Sequence, residues 1–302
     1  MNRSITNRQS SMDARAPTPT PSTPLPLSCT VRACGQPLTR RGRAYVCPRG
    51  HSFDVARRGY VNLLQPQDRK SREPGDARVA VEARAGLLAA GIGRAVVDEL
   101  VRRVAAMDLL PGAVVVDLGS GTGDALGALA AARPITGIGV DLSIAAAEHA
   151  ARRFPELTWV VANADRRLPI VDRGADVVLS LHGRRNPAEC ARVLKAGGLL
   201  VLVVPAPGDL VELRELVQGA RVERDRVETV LASHAPFFAL RDRFTARESH
   251  RLEHADLVAL LRATYRGARA SAAARVESLT ALEVTFASDV LVLTLAAPET
   301  HA

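Results

Sequence analysis

From about residue 77 onward the apolar positions of the chain follow two alternating rhythms. Val79 to Ala90 and Ala95 to Ala106 repeat with helical spacing, and then short apolar runs (VVVDL, ITGIGVD, LTWVVA, ADVVLSL, GLLVLVV) alternate with helical stretches. Runs that are apolar at successive positions are strands covered on both faces. Their alternation with helices therefore predicts an α/β fold with a parallel sheet between helical layers. Near the C-terminus SLTALEVTF and DVLVLTLA are separated only by Ala287 and Ser288, and they predict an antiparallel hairpin. There is no internal repeat.

The first 27 residues lack any apolar period and are rich in Ser, Thr and Pro, which predicts a disordered leader over 1–27. Residues 28–76 form a short Cys/His-containing segment that ends in the turn-rich QPQDRKSREPGD, and the α/β pattern fills 77–302. Over 302 residues, 47% hydrophobic and 24% charged positions are the balance of a globular protein and exclude a collagen-like, disordered or multi-span membrane chain. With no run of eighteen apolar residues and no signal-like start, the expected location is the cytoplasm, without a membrane partner.

The net charge of +8 is uninformative by itself, because only Lys70 and Lys195 of the 40 basic residues are lysines and arginine is raised throughout. Its distribution says more. From Cys29 to Asp76 ten basic residues face four acidic ones, a net of +6, so most of the excess sits in the small N-terminal segment. That is the footprint of a surface that meets phosphates. The same segment carries Cys34-x12-Cys47-x3-His51, ligand types and spacings suited to a tetrahedral structural zinc, with Cys29 as fourth ligand through a loose C-x4-C. Val31 occupies the place a tight knuckle would give to cysteine, which leaves a metal-free, decayed knuckle as the alternative.

The strand ending in Asp117 runs into Gly119-Ser-Gly121-Thr-Gly123 and then a helix. Alternating glycines let the backbone curl close to a ligand, and the amides of the helix start, at Ala125 and Leu126, are free donors. The third glycine comes one position earlier than in dinucleotide sites, and the acid beside the loop is poor company for a pyrophosphate. It suits the ammonium and sulfonium of S-adenosylmethionine. Asp141, at the end of the next strand, is placed for ribose hydroxyls, and Asn163 and Asp165 after the third strand for an adenine amino group. The bland reading of all four is ordinary loop capping. Loop and acids together resemble the cofactor site of class I methyltransferases, a Rossmann-like sheet.

A longer match lies upstream. CPRGHSFDVARRGYVNLL, together with Asp76 and the pair Ala83-Arg84, closely resembles the bacterial large-subunit ribosomal RNA guanine-N1 methyltransferases, including their macrolide-resistance members, over about residues 30–297. The resemblance implies that a zinc module grips an RNA hairpin while the larger domain holds the cofactor and the target guanine, and it implies a homodimer. Phe53 and Tyr60 are either core or platforms for bases.

After the fourth strand stands His182-Gly183-Arg184-Arg185-Asn186, where the family tends to carry Phe-Ala-Pro in place of the first three. Transfer to guanine N1 needs its proton removed or its developing charge stabilised. His182 is a candidate base, Arg184 and Arg185 candidate charge stabilisers, and Asn186 completes the candidate catalytic loop. The alternative reading of His182 is a plain loop residue replacing an aromatic wall. Asp209, in PAPGDLVEL, stands where the family has a histidine near the cofactor, and Gly91-Ile92-Gly93 replaces the family's Gly-His-Tyr. Cys190 has the pattern of a buried, inert thiol. Three functions follow: rRNA guanine-N1 methylation, methylation of a small molecule or other RNA site by a relative of the same descent, and an inactive RNA-binding homologue.

Overall fold

The computed structural model describes residues 24–68, 75–218, 225–264, 274 and 276–297. A small antiparallel sheet comes first, β1 (Thr39–Arg41), β2 (Ala44–Val46) and β3 (Ser52–Asp54). Then follow β4 (Tyr60–Asn62), α1 (Arg78–Ala89), α2 (Ala95–Ala105), β5 (Ala113–Leu118), α3 (Asp124–Ala132), β6 (Ile135–Asp141), α4 (Ile144–Arg153), β7 (Thr158–Val161) and β8 (Ala175–Leu181). The chain continues through α5 (Pro187–Val193), β9 (Leu194–Pro205), α6 (Val211–Gln218), α7 (Val227–His234), β10 (Phe238–Glu253), α8 (His254–Thr264) and β11 (Ala281–Leu295).

Eight strands form the main sheet in the order β10-β11-β9-β8-β5-β6-β7-β4. Neighbours from β9 through β4 are parallel, and β11 and β10 are antiparallel additions at the other edge. The five parallel strands expected from the apolar runs are all present, because each is buried on both faces and rich in Val, Ile and Leu. The chain winds outward from β5 to β6 and β7, then returns to β8 on the other side of β5. That reversal leaves a crevice beyond the carboxyl ends of β5 and β8, the place where open α/β sheets bind ligands.

The antiparallel C-terminal element is present, but its members differ from the expected hairpin. Ala287 and Ser288 are not a turn; they continue a single strand from Ala281 to Leu295, paired with β9 on one side and β10 on the other. Its true partner, FALRDRFTARESHRLE, has no apolar period, because β10 is an edge strand exposed over most of its length.

The small N-terminal sheet is not walled off from the rest. Leu27, Cys29, Leu38, Tyr45, Cys47, Val61 and Leu63 share one core cluster with Val116, Leu118, Val178 and Leu200 of the main sheet, and β4 adds a parallel edge to β7. The expected leader is accordingly too long by a few residues. Leu27 is fully buried and Ser28 donates its amide to the Pro169 carbonyl at 2.9 Å, while 1–23 lie outside the described residues. No helix among the described residues is long and apolar enough to cross a membrane.

Candidate functional site

The glycine loop leaves β5 at the crevice with φ of +74°, +53° and +80° at Gly119, Gly121 and Gly123. At Gly123 even the smallest side chain fails, since a Cβ would stand 2.6 Å from the Trp159 ring that fills the space beneath the loop. Gly123 also caps α3, so the loop delivers free amides to the crevice. Asp141 braces it: one carboxylate oxygen accepts from the Gly121 amide and the other from the Ser143 amide, both at 2.8 Å. Burial raises the Asp141 pKa and these two bonds oppose the rise.

Asp117 lies 2% exposed on the last turn of β5, and its Oδ1 has no partner among the described groups. Burial, and then the charge of Asp141, push its pKa up to about 7. A buried carboxylate oxygen without a partner is costly unless a ligand supplies one. A cationic ligand end beside a glycine loop meets that need, so these residues fit S-adenosylmethionine.

The other expected cofactor contacts divide sharply. Leu126 packs into the core with Leu129 and Val115, and Ala125 is buried beside it, so only their amides remain for a ligand. Asn163 is corrected from adenine contact to structural tie: its Oδ1 accepts from the Asp165 amide and its Nδ2 donates to the Asp68 carbonyl, both at 3.0 Å. Asp209 is likewise engaged, accepting from the Ala287 amide at 3.0 Å and pairing with Arg214 at 3.5 Å. Asp165 reaches the mouth of the crevice, where it pairs with Arg184 at 2.9 Å.

The loop after β8 presses against the glycine loop. A Cβ on Gly183 would meet the Leu118 carbonyl at 2.6 Å, and the buried Ser180 hydroxyl beneath it has no partner among the described groups. His182 sits at φ +52°, and its Nε2 lies 3.0 Å from Ser288 Oγ. His182 is solvent-exposed at the crevice; the protein packed around its ring, then the charges of Arg84, Arg226 and Arg185, lower its pKa. A lowered pKa keeps the imidazole neutral at pH 7 and weakens it as a base, against the expected titration near neutrality.

Arg185 is mostly covered, with Nη1 donating to the Gly183 carbonyl at 3.1 Å and Nε to His234 at 3.4 Å. Burial lowers its pKa. Arg184 is 80% exposed. Asn186 is corrected from a catalytic candidate to a cap: its side chain accepts from the Glu189 amide at the start of α5, with Pro187 in the first turn. Cys190 is fully buried, and burial pushes its thiol up to about 12, so it is inert. His234 and Ser288 are neighbours that motif spacing does not reveal, since each comes from an element remote in sequence, and Arg84 of the upstream motif joins them.

The metal candidates do converge. Ligand atoms of Cys29, Cys34, Cys47 and His51 lie within 4.8 Å of one another. Cys29 and Cys47 Sγ are each 3.4 Å from His51 Nδ1, and Cys34 and Cys47 Sγ are 3.9 Å apart. A tetrahedron with zinc–sulfur bonds near 2.3 Å and zinc–nitrogen bonds near 2.0 Å has edges of about 3.8 and 3.5 Å, so the set is of zinc size. The Cys29–Cys34 turn closes through the Cys34 amide on the Val31 carbonyl at 2.9 Å, with Ala33 at φ +58°, so the looser spacing still makes a knuckle.

Between this knuckle and the loop after β7 lies a groove of about 530 Å³, lined by Cys29 to Gly35, Gln67, Asp68 and Arg166 to Leu168. Three guanidinium groups, of Arg32, Arg166 and Arg167, border it. Phe53 is only partly exposed and packs on the core, and Tyr60 does the same, which favours the core reading of both. Arg69, Lys70 and Arg72 of the basic segment lie outside the described residues.

Residues 28–72 match the family described as RlmA, N-terminal, a zinc ribbon, and residues 115–198 match the methyltransferase domain family. The 23S rRNA (guanine(748)-N(1))-methyltransferase of Streptomyces fradiae is 37% identical over 73% of this chain and 79% of its own length. A Micromonospora griseorubida protein named provisionally as a 23S rRNA (guanine-N(1)-)-methyltransferase is 36% identical over 75% of this chain and 81% of its own. Among solved structures, a chain from the complex of the Haloferax volcanii Trm112 methyltransferase activator with a candidate methyltransferase is 20% identical, with a TM-score of 0.50, and covers 74% of this chain and 100% of its own, a likeness of fold.

Proposed function

This chain belongs to the 23S rRNA (guanine-N1)-methyltransferase family, and from that premise we propose that it methylates N1 of a guanine in a hairpin loop of the large ribosomal RNA, in the cytoplasm. The cofactor is S-adenosylmethionine, and a zinc ion belongs in the Cys29, Cys34, Cys47 and His51 cluster. When bound, the cofactor supplies an electrophilic methyl carbon on a positively charged sulfur.

Asp117 would hold the cofactor's ammonium through its unpartnered oxygen, and Asp141 would offer its remaining lone pairs to the ribose hydroxyls. The zinc knuckle shapes one wall of the arginine-lined groove, and the loop that carries Arg166 and Arg167 also carries Asp165 at the crevice mouth. A phosphate backbone lying in that groove leaves an unpaired base within reach of the crevice. That juxtaposition is the observation that carries the reading. A methyltransferase of small molecules has no use for it.

Arg185 and its neighbours surround His182 with positive charge. As the N1 proton passes to solvent water, negative charge spreads over N1 and O6, and the half-buried Arg185 guanidinium stabilises it. His182 stays neutral and positions the loop through Ser288. Charge stabilisation therefore outweighs general-base catalysis here.

The test is transfer of a labelled methyl group from S-adenosylmethionine to unmodified 23S rRNA, with the product nucleoside identified by nuclease digestion and mass spectrometry. We expect 1-methylguanine at one hairpin position. Methyl at another atom, or cofactor binding without incorporation into any RNA, would refute the proposal.

A further inference from the structure

S-adenosylmethionine ends in an α-ammonium and an α-carboxylate, and a site that encloses both needs an acceptor for the first and strong donors for the second, a role a guanidinium fills well. The unpartnered Oδ1 of Asp117 is the acceptor. A guanidinium stands across the glycine loop. Arg84 of α1 places Nη1 3.6 Å from where a Cβ on Gly121 would be, and since glycine has none, the guanidinium faces bare loop backbone.

Its position is fixed from two sides. Nη1 donates to Asp76 Oδ2 at 3.0 Å and Nη2 to the Ala263 carbonyl of α8 at 2.8 Å. Asp76 is anchored in turn, its carbonyl accepting from Ser143 Oγ at 2.6 Å. Gly75 is pressed so close to α4 that a Cβ there would stand 2.5 Å from the Ser143 nitrogen. These bonds use two of the five guanidinium N–H groups, and the side chain remains 36% exposed. The field of Arg84 reaches both Asp141 and His182, which sets it between the acid that braces the loop and the loop after β8. A cation so braced, beside a glycine loop that follows the unpartnered carboxylate oxygen of Asp117, has the geometry of an anion receptor rather than of a surface ion pair.

We propose that Arg84 binds the methionine carboxylate of the cofactor. This rests on the S-adenosylmethionine reading above. It makes Arg84 a recognition residue for the amino-acid end of the cofactor and not merely a strut between α1 and α8.

Titration calorimetry of the full chain with S-adenosylmethionine and with its decarboxylated analogue separates the two roles. Wild type is expected to prefer the carboxylate-bearing ligand by roughly tenfold to a hundredfold, the range of a charge-assisted pair. Arg84→Met should lose that preference by weakening S-adenosylmethionine while leaving the analogue nearly unchanged, and Arg84→Lys should keep part of it. Equal weakening of both ligands would make Arg84 a strut only and overturn the proposal, as would unchanged affinity for S-adenosylmethionine. If Arg84→Met fails to fold, the wild-type comparison and the lysine variant still decide, since no preference in wild type also overturns it. Wild type binding neither ligand would overturn the cofactor reading itself.

Discussion

The loops that follow β5 and β8 approach so closely that a Cβ on Gly119 would stand 3.3 Å from the Gly183 Cα, yet they treat their polar groups differently. The end of β5 and its loop keep a buried carboxylate oxygen with no partner among the described residues and present amides at a helix start. The loop after β8 pairs nearly everything it has: His182 with Ser288, Arg184 with Asp165, Arg185 with Gly183 and His234, Asn186 with Glu189. The first is a receptor waiting for charge. The second is a braced wall whose charges act through their field. In the proposed division of labour one loop binds and the other catalyses.

Asp117→Asn breaks the first half most directly. Removing the charge that meets the cofactor ammonium should weaken S-adenosylmethionine by about a hundredfold, following the upper range for hydrogen bonds to charged groups. The apo protein should not lose melting temperature, because no internal partner is orphaned. Calorimetry and thermal melts read the two effects together, and a lower melting temperature with intact affinity would reverse the assignment.

The pH dependence sharpens the same point. With a folded pKa raised to about 7, Asp117 must lose a proton to meet a cation, so cofactor affinity should fall by up to about tenfold per unit below pH 7 and level off above it. Asp117→Asn should flatten that slope. The stability signs are opposite for the two loops. Asp117, raised, costs stability as pH climbs from about 4 to 7, whereas His182, depressed to about 4, costs stability as pH falls below its ordinary value near 6.5. Melting curves across this window should steepen when either group alone is replaced.

Gly183→Ala tests the contact itself. Its Cβ would stand 2.6 Å from the Leu118 carbonyl, so the wall must shift; a transfer rate lowered by roughly tenfold is expected, with cofactor affinity changed far less. Equal loss in both would mean the loops act as one unit. Asn186→Ala is the mildest change, removing a helix cap worth about 1 kcal/mol of stability and leaving the rate at saturation unaltered. A large rate loss would restore Asn186 to the catalytic set.

What was legible in the sequence follows the same line. Asp117, the three glycines and Asp141 announce themselves because the strand-turn-helix that positions them is contiguous, and their geometry is set by local backbone rules. The Cys and His ligands are legible for the same reason, since spacing alone limits which side chains can meet. The structural partners of Asn163 and Asp209, the Asp68 carbonyl and the Ala287 amide, are not legible because they lie 95 and 78 residues away. The capping role of Asn186 is not legible either, because a cap and a catalytic amide look alike in a loop. Strand β10 was missed because an exposed edge strand does not need the apolar alternation that marks a covered one. Long-range pairing, then, is where residue patterns stop and the fold has to speak.

The division between the loops is tested most directly by the single-turnover methyl-transfer rate of Arg185→Ala at saturating cofactor and RNA, measured beside its dissociation constant for S-adenosylmethionine. The expected result is a rate lowered by about a hundredfold, the scale of one lost charge stabiliser, with the dissociation constant unchanged. An unchanged rate, or a dissociation constant that weakens as much as the rate falls, would contradict it.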